Sequence, residues 1–152
     1  MAKVRDFEMP DDLYYHKEFC WVKKESDELV RVGLIDFAQS EAGDITYIDL
    51  PFEGDEVEQN EPCGKIQSAK WIGKLVAPVT GEVVEVNYDL ESDATLINQD
   101  CYGAGWIITV QPSDLDADMA NLMQGQAAHQ WLEKEIDEVE KGKAEGKDYA
   151  AE

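Results

Sequence analysis

Cysteine is scarce in this 152-residue sequence: Cys20, Cys63 and Cys101 are the three present. They are too few and too scattered for a zinc site of the CxxC kind, and an odd count argues against a disulfide framework. Histidine is scarcer. His16 and His129 each sit among charged or polar neighbours, with no Ser or Cys partner for nucleophilic catalysis. Gly-rich phosphate loops and metal-ligand spacings are missing too. No run approaches the roughly 20 apolar residues of a membrane helix. Residues 1–6 lack the apolar core of a secretory signal, so the cytoplasm is the expected location. These absences argue against an independent enzyme, a membrane protein and a disulfide scaffold.

Positive charge is the other deficit, with 13 Lys+Arg against 34 Asp+Glu and a formal net charge of −21. Such a field repels nucleic acid and anionic membranes, and favours basic partners or solubility at high salt. What remains is a globular composition, 43% hydrophobic with four tryptophans, long enough for one domain with a real core.

Residues 1–18 are polar and irregular and read as an arm with little structure; residues 19–140 form the domain, and 141–152 a flexible tail rich in Lys, Gly, Glu and Ala. Residues 29–34, 44–50, 81–87 and 106–110 are rich in β-branched and aromatic residues and read as strands. Residues 36–42 fit one or two helical turns. Many short strands at this spacing indicate a sandwich or barrel. After Pro112, Ser113 is placed to cap a short helix to about Met123, and Gly125 breaks it. A second helix to about Glu140 puts Trp131, Leu132, Ile136 and Val139 on one face. The expected class is mainly β with two short C-terminal helices.

The segment that carries chemistry is residues 64–83. Strands over 64–69 and 73–77 flank a short turn, with Lys70 at or beside it. A hairpin tip displays a lysine for modification: it is exposed, held by two strands and open to successive partners. Acylating the amine removes its charge and leaves a long tether. The alternative is an ordinary solvated lysine, which is how Lys65 and Lys74 on the flanking strands read, although a ligase could recognise them.

The order of motifs resembles the H-protein family of the glycine cleavage system, relatives of lipoyl and biotinyl carriers. The resemblance rests on Tyr15-x-Lys17-Glu18-x-x-Trp21-Val22, Val32-Gly33-Leu34-x-Asp36-x-Ala38-Gln39, Gly43-Asp44-Ile45, Leu50-Pro51 and Ser68-x-Lys70. Gly81-Glu82-Val83, Asn98-x-Asp100-x-Tyr102-Gly103 and Pro112-Ser113-Asp114 complete it. It implies a lipoyl-carrier (barrel-sandwich hybrid) domain and lipoate amide-linked to Lys70. It also implies a lipoate ligase or lipoyltransferase as partner, and a carrier, expected to be a monomer, rather than an enzyme. Biotinyl sites resemble one another in having methionine on both sides of the lysine; here Ala69 and Trp71 stand there, which favours lipoate.

Departures from the family pattern suggest a different cargo. Gln67 replaces an acidic residue three before the lysine, and Trp71 follows it. Cys20 replaces an acidic residue, Phe19 a histidine and Cys101 a proline, while Cys63 stands where an aromatic is common. Cys20 and Cys101 are candidate auxiliary thiols that could exchange with a lipoyl dithiol, provided they are exposed and low in pKa; otherwise they are small core residues. The pattern is more similar to lipoate-binding proteins that serve a heterodisulfide-reductase-like complex in sulfur oxidation, the main expectation for cargo. An aminomethyl group handled by the glycine cleavage enzymes is the alternative. A third reading is an unmodified binding domain, whose sign would be a buried or salt-bridged Lys70.

Overall fold

A computed structural model describes residues 3–69 and 72–144. Along the chain the elements are β1 (Lys3–Val4), β2 (Phe7–Glu8), β3 (Tyr14–His16), β4 (Cys20–Lys24), β5 (Val30–Leu34), α1 (Asp36–Ala42) and β6 (Ile45–Asp49). They continue as β7 (Glu56–Val57), β8 (Pro62–Ser68), β9 (Ile72–Val76), β10 (Gly81–Val86), α2 (Asp89–Ser92), α3 (Leu96–Gln99), β11 (Ile108–Pro112), α4 (Leu115–Met119) and α5 (Gly125–Ala144). A six-stranded sheet in the order β3-β4-β5-β11-β10-β7 faces a three-stranded sheet, β6-β8-β9. The expected mainly-β class with C-terminal helices is what the chain adopts.

Alternation explains the layering, because successive strand residues point to opposite faces. Cys20 and Val22 of β4 enter a core shared with Val30, Val32, Ile45, Ile48, Ile66 and Leu75, so both sheets fill one interior. Trp21 between them points the other way, into a second core with Met9, Leu13, Tyr15, Leu132 and Ile136. That second face is why β4 is buried on both sides. Trp21 lies over Gly33, its partner on β5; a Cβ there would come within 2.5 Å of the indole, so a side chain at 33 displaces the tryptophan. The indole N–H donates to the Cys101 carbonyl at 2.9 Å.

Several expectations need correction. The first 18 residues are not an unstructured arm. β1 and β2 pair as a hairpin, β3 joins the large sheet, and Val4, Met9 and Leu13 are buried against α5. Hydrophobic residues spaced unevenly through a polar segment show no period, and their burial depends on a helix more than 100 residues away. Asp114, not Ser113, caps α4, its carboxylate accepting the Ala117 N–H at 3.3 Å. Gly125, at φ 59°, opens α5 as well as separating it from α4. α5 runs on to Ala144, so residues 141–144 are helical rather than tail, and residues 145–152 lie outside the described residues. The last strand begins at Ile108 because Trp106 is drawn aside, its carbonyl accepting from Asn87 and its ring covered by Arg31 at 4.5 Å.

Candidate functional site

The β8–β9 hairpin forms as the spacing predicts. Its register runs Lys65 opposite Lys74, Ile66 opposite Gly73 and Gln67 opposite Ile72. β8 is the middle strand and pairs with β6 on its other side, Tyr47 opposite Gln67 and Asp49 opposite Lys65. Lys70 and Trp71 lie outside the described residues; by sequence they fall between the paired Gln67 and Ile72. The contrast between an exposed and a salt-bridged Lys70 therefore concerns a residue outside that range.

The frame around them is built from the inner face outward. Ile48, Ile66 and Leu75 are buried and anchor the hairpin in the main core. Gly64 passes so close to the Asp49 carbonyl that a Cβ would strike it, which keeps β8 tight against β6. The outer face carries two cross-strand rows. One is Tyr47, Gln67 and Ile72, with Tyr47 54% and Ile72 52% exposed. The second is Asp49, Lys65 and Lys74, all exposed.

Beside β9 lies an open cleft of about 700 Å³. Ile72, Gly73 and Lys74 form one wall with Lys65, and Glu18, Phe19, Leu34 and Ala38 form the other. His16 holds the far wall in shape. Its Nδ1 accepts the Glu18 backbone N–H at 3.0 Å, which leaves the proton on Nε2, and that nitrogen donates to Asn60 Oδ1 at 2.7 Å. His16 is a buried strut, paired across β3 and β4 with the buried Cys20. Phe19 takes a left-handed φ of 69° and rests against Trp131 and Phe37 with ring centroids 5.5 and 6.3 Å away. The sequence offered no signal for this strut, because His16 and Asn60 are 44 residues apart.

The cysteines do not meet the condition set for thiol exchange. Cys20 is fully buried, its thiol 3.5 Å from the Val76 carbonyl, and burial pushes its pKa well up from the ordinary value. Cys101 is buried in the main core, and burial followed by Asp36 and Glu8 raises it as well. Cys63, half-buried, is pushed up to about 11 by burial. Thiolates are the exchanging species. Cys20 and Cys101 are thus neutral core residues, and the idea that they serve as auxiliary thiols is corrected on that ground.

Comparison with known proteins points one way. Residues 13–135 match the family model described as glycine cleavage H-protein. The chain is 47% identical over 114 residues to the glycine cleavage system H protein of Bacillus licheniformis, covering 75% of this chain and 88% of that one. It is 49% identical over 106 residues to that of Halalkalibacterium halodurans, covering 70% and 82%. The crystal structure of a glycine cleavage system H protein from Mycobacterium marinum superposes with a TM-score of 0.70 at 31% identity, covering 84% of this chain and 98% of that one. With most of its length matched by model, sequence and structure alike, the chain belongs to the glycine cleavage H-protein family.

Proposed function

We propose that the protein is a lipoyl carrier of the glycine cleavage system, with lipoate amide-linked to Lys70 and an aminomethyl group as its cargo. Proteins of this family are lipoyl carriers and not themselves enzymes. The observation that carries the reading is the placement of Lys70 in sequence between Gln67 and Ile72. These are the paired ends of a hairpin anchored by Ile66 and Leu75, inside the family-matched region. The residues present fit the group: a core-anchored hairpin edged by an exposed Ile72, next to a cleft with an apolar wall of Phe19, Leu34 and Ala38. Lipoate supplies a dithiol/disulfide couple that takes up and releases groups and electrons. The chain's own residues hold the hairpin rigid, present the attachment point and leave the cleft open beside it. Three free cysteines accord with a reducing cytoplasm.

The partners under this reading are a lipoate ligase or lipoyltransferase and the enzymes of the glycine cleavage system, the system the relatives' descriptions name. Intact mass of protein purified from its native host is expected to show one lipoyl adduct, absent from Lys70→Arg. Reconstitution with the glycine cleavage enzymes is expected to give glycine exchange with the wild-type carrier and none with the variant. An unmodified native-host protein, or an adduct that survives Lys70→Arg, overturns the assignment.

One observation favours a second cargo, sulfur intermediates passed to a heterodisulfide-reductase-like complex. The cleft carries two lysines and one glutamate, a poor match for a protonated aminomethyl group and a better one for anionic sulfur.

A further inference from the structure

Phe52, 71% exposed, and Tyr88, 46% exposed, are large aromatics left in solvent, and both are held in place. The Phe52 N–H donates to the Asp55 carboxylate at 2.9 Å, and its carbonyl accepts the Asp55 N–H at 3.0 Å. That turn is fastened to β10: the Gly54 N–H donates to the Val83 carbonyl at 2.7 Å, and the Val83 N–H to the Asp55 carbonyl at 2.8 Å. The Tyr88 hydroxyl donates to Glu53, which ties the second aromatic to the same turn. The turn leads into β7, where Glu56 stands directly opposite Glu82 of β10. Like charges so placed cost stability. Among the described residues Glu53, Glu56 and Glu82 are in no ion pair. The 13 Lys and Arg residues fall at 3–31, 65–74 and 134–147, so the stretches that build this face, 32–64 and 75–133, contain none.

We infer that the 52–56 turn, together with Glu82 and Tyr88, is a docking face for an arginine-rich patch on a partner enzyme. A guanidinium stacks on an aromatic ring and pairs bidentately with a carboxylate, so rings set among unpaired glutamates suit it better than an ammonium. Anchors already fixed by hydrogen bonds lose little freedom on binding. A second copy of the chain would set glutamate against glutamate, and an anionic lipid surface is repelled for the same reason. The register also leaves room for such a partner. β6 runs from the Gln67 end of β8 toward Lys65, and Phe52 follows its far end. An enzyme seated on Phe52 therefore leaves the Gln67/Ile72 end of the hairpin uncovered. The inference rests on the carrier reading and adds the place where a glycine cleavage enzyme grips the carrier.

The test mixes full-length carrier from its native host with each glycine cleavage enzyme in turn and follows hydrogen–deuterium exchange. One enzyme is expected to protect residues 52–56 and 88–91 at low salt, and the protection to fade as salt rises. In the reconstituted reaction, Phe52→Ser and Glu56→Gln/Glu82→Gln are each expected to raise the KM for the carrier several-fold with kcat unchanged. The double variant is also expected to flatten the dependence of KM on salt. Asp27→Asn/Glu28→Gln removes the same charge from the exposed turn between β4 and β5 and is expected to leave KM as it was. Intact mass and thermal midpoint show that every variant is lipoylated and folded; the Glu56/Glu82 variant is expected to melt no lower than wild type, since it removes a like-charge pair. Protection of this face by none of the enzymes, a KM unmoved by both variants, or an equal rise in the Asp27/Glu28 control overturns the inference while leaving the carrier reading intact. A wild-type carrier without lipoyl adduct or glycine exchange overturns that reading, and the inference with it.

Discussion

Trp21 shows how much a single residue can organise here. It points away from the main core, stacks over Gly33, donates to the Cys101 carbonyl and touches the Tyr102 ring at 6.1 Å. Gly33→Ala places a methyl where the indole lies, and the indole is pinned by its hydrogen bond. We expect a loss of about 1–3 kcal/mol in urea denaturation, typical of overpacking; an unchanged midpoint would show that the tryptophan gives way freely. The same packing explains Cys101. Its side chain is buried and its backbone carbonyl, not its thiol, makes the specific contact. His16 likewise works as a strut: with both ring nitrogens bonded, it fixes Glu18 and Asn60 at the cleft.

At the level of elements, the N-terminal hairpin acts as a clasp on α5. It lies outside residues 13–135, the part matched to the family. Met9 and Val4 are buried against Leu132, Ile136 and Val139. Tyr102 donates its hydroxyl hydrogen to the Glu8 carbonyl at 2.7 Å and accepts the Asp36 N–H at 3.1 Å, tying β2 to α1. Arg5 meets Asp137 at 2.5 Å and Glu140 at 3.5 Å, on an exposed rim. Burial and rim contribute unequally. Met9→Ala is expected to cost about 2–5 kcal/mol because it empties a closed site. Arg5→Ala is expected to leave the thermal midpoint nearly unchanged, since exposed ion pairs contribute little. The reverse ranking in thermal unfolding would show that charge rather than packing holds the clasp. The β8–β9 hairpin follows the opposite logic: its inner residues are anchored, and its outer face is left with Tyr47 and Ile72 in solvent.

Across the whole molecule, the buried acids without carboxylates set the alkaline limit. Cys20, Cys63, Cys101, Tyr15 and Tyr102 all have pKa values raised by burial, from ordinary values of 9.0 for the thiols and 10.0 for the phenols. The folded state keeps their protons while the unfolded chain releases them. Their contribution to stability is therefore full below the ordinary thiol value of 9.0, and declines as pH rises above it. The thermal midpoint is expected to hold level up to that point and to fall beyond it. Cys63 is expected to become reactive to iodoacetamide only as pH approaches about 11. A midpoint that is flat or rising through that range would show that these groups are not protected in the fold.

The strands over 30–34, 45–49 and 81–86, α1 and the β8–β9 hairpin were legible from the chain alone. β-branched runs between turn residues have few other conformations, and a hairpin is a local event. So was the family, because its motifs recur in order along the sequence. What the sequence could not decide were the contacts made at long separation. The arm became a clasp because α5, far along the chain, covers Met9. The cysteines, conspicuous as substitutions, became core residues because both sheets close over Cys20, and Trp21 takes the Cys101 carbonyl. Lys65 and Lys74, read as ordinary surface lysines, became one wall of a cleft whose other wall is set by His16 and Asn60. Sequence by itself determined the local elements and the position of Lys70 between two of them along the chain, since propensity and spacing act over a few residues. Only the tertiary structure decided which side chains surround the β8–β9 hairpin, since burial and charge are fixed by residues that meet only once the chain has folded.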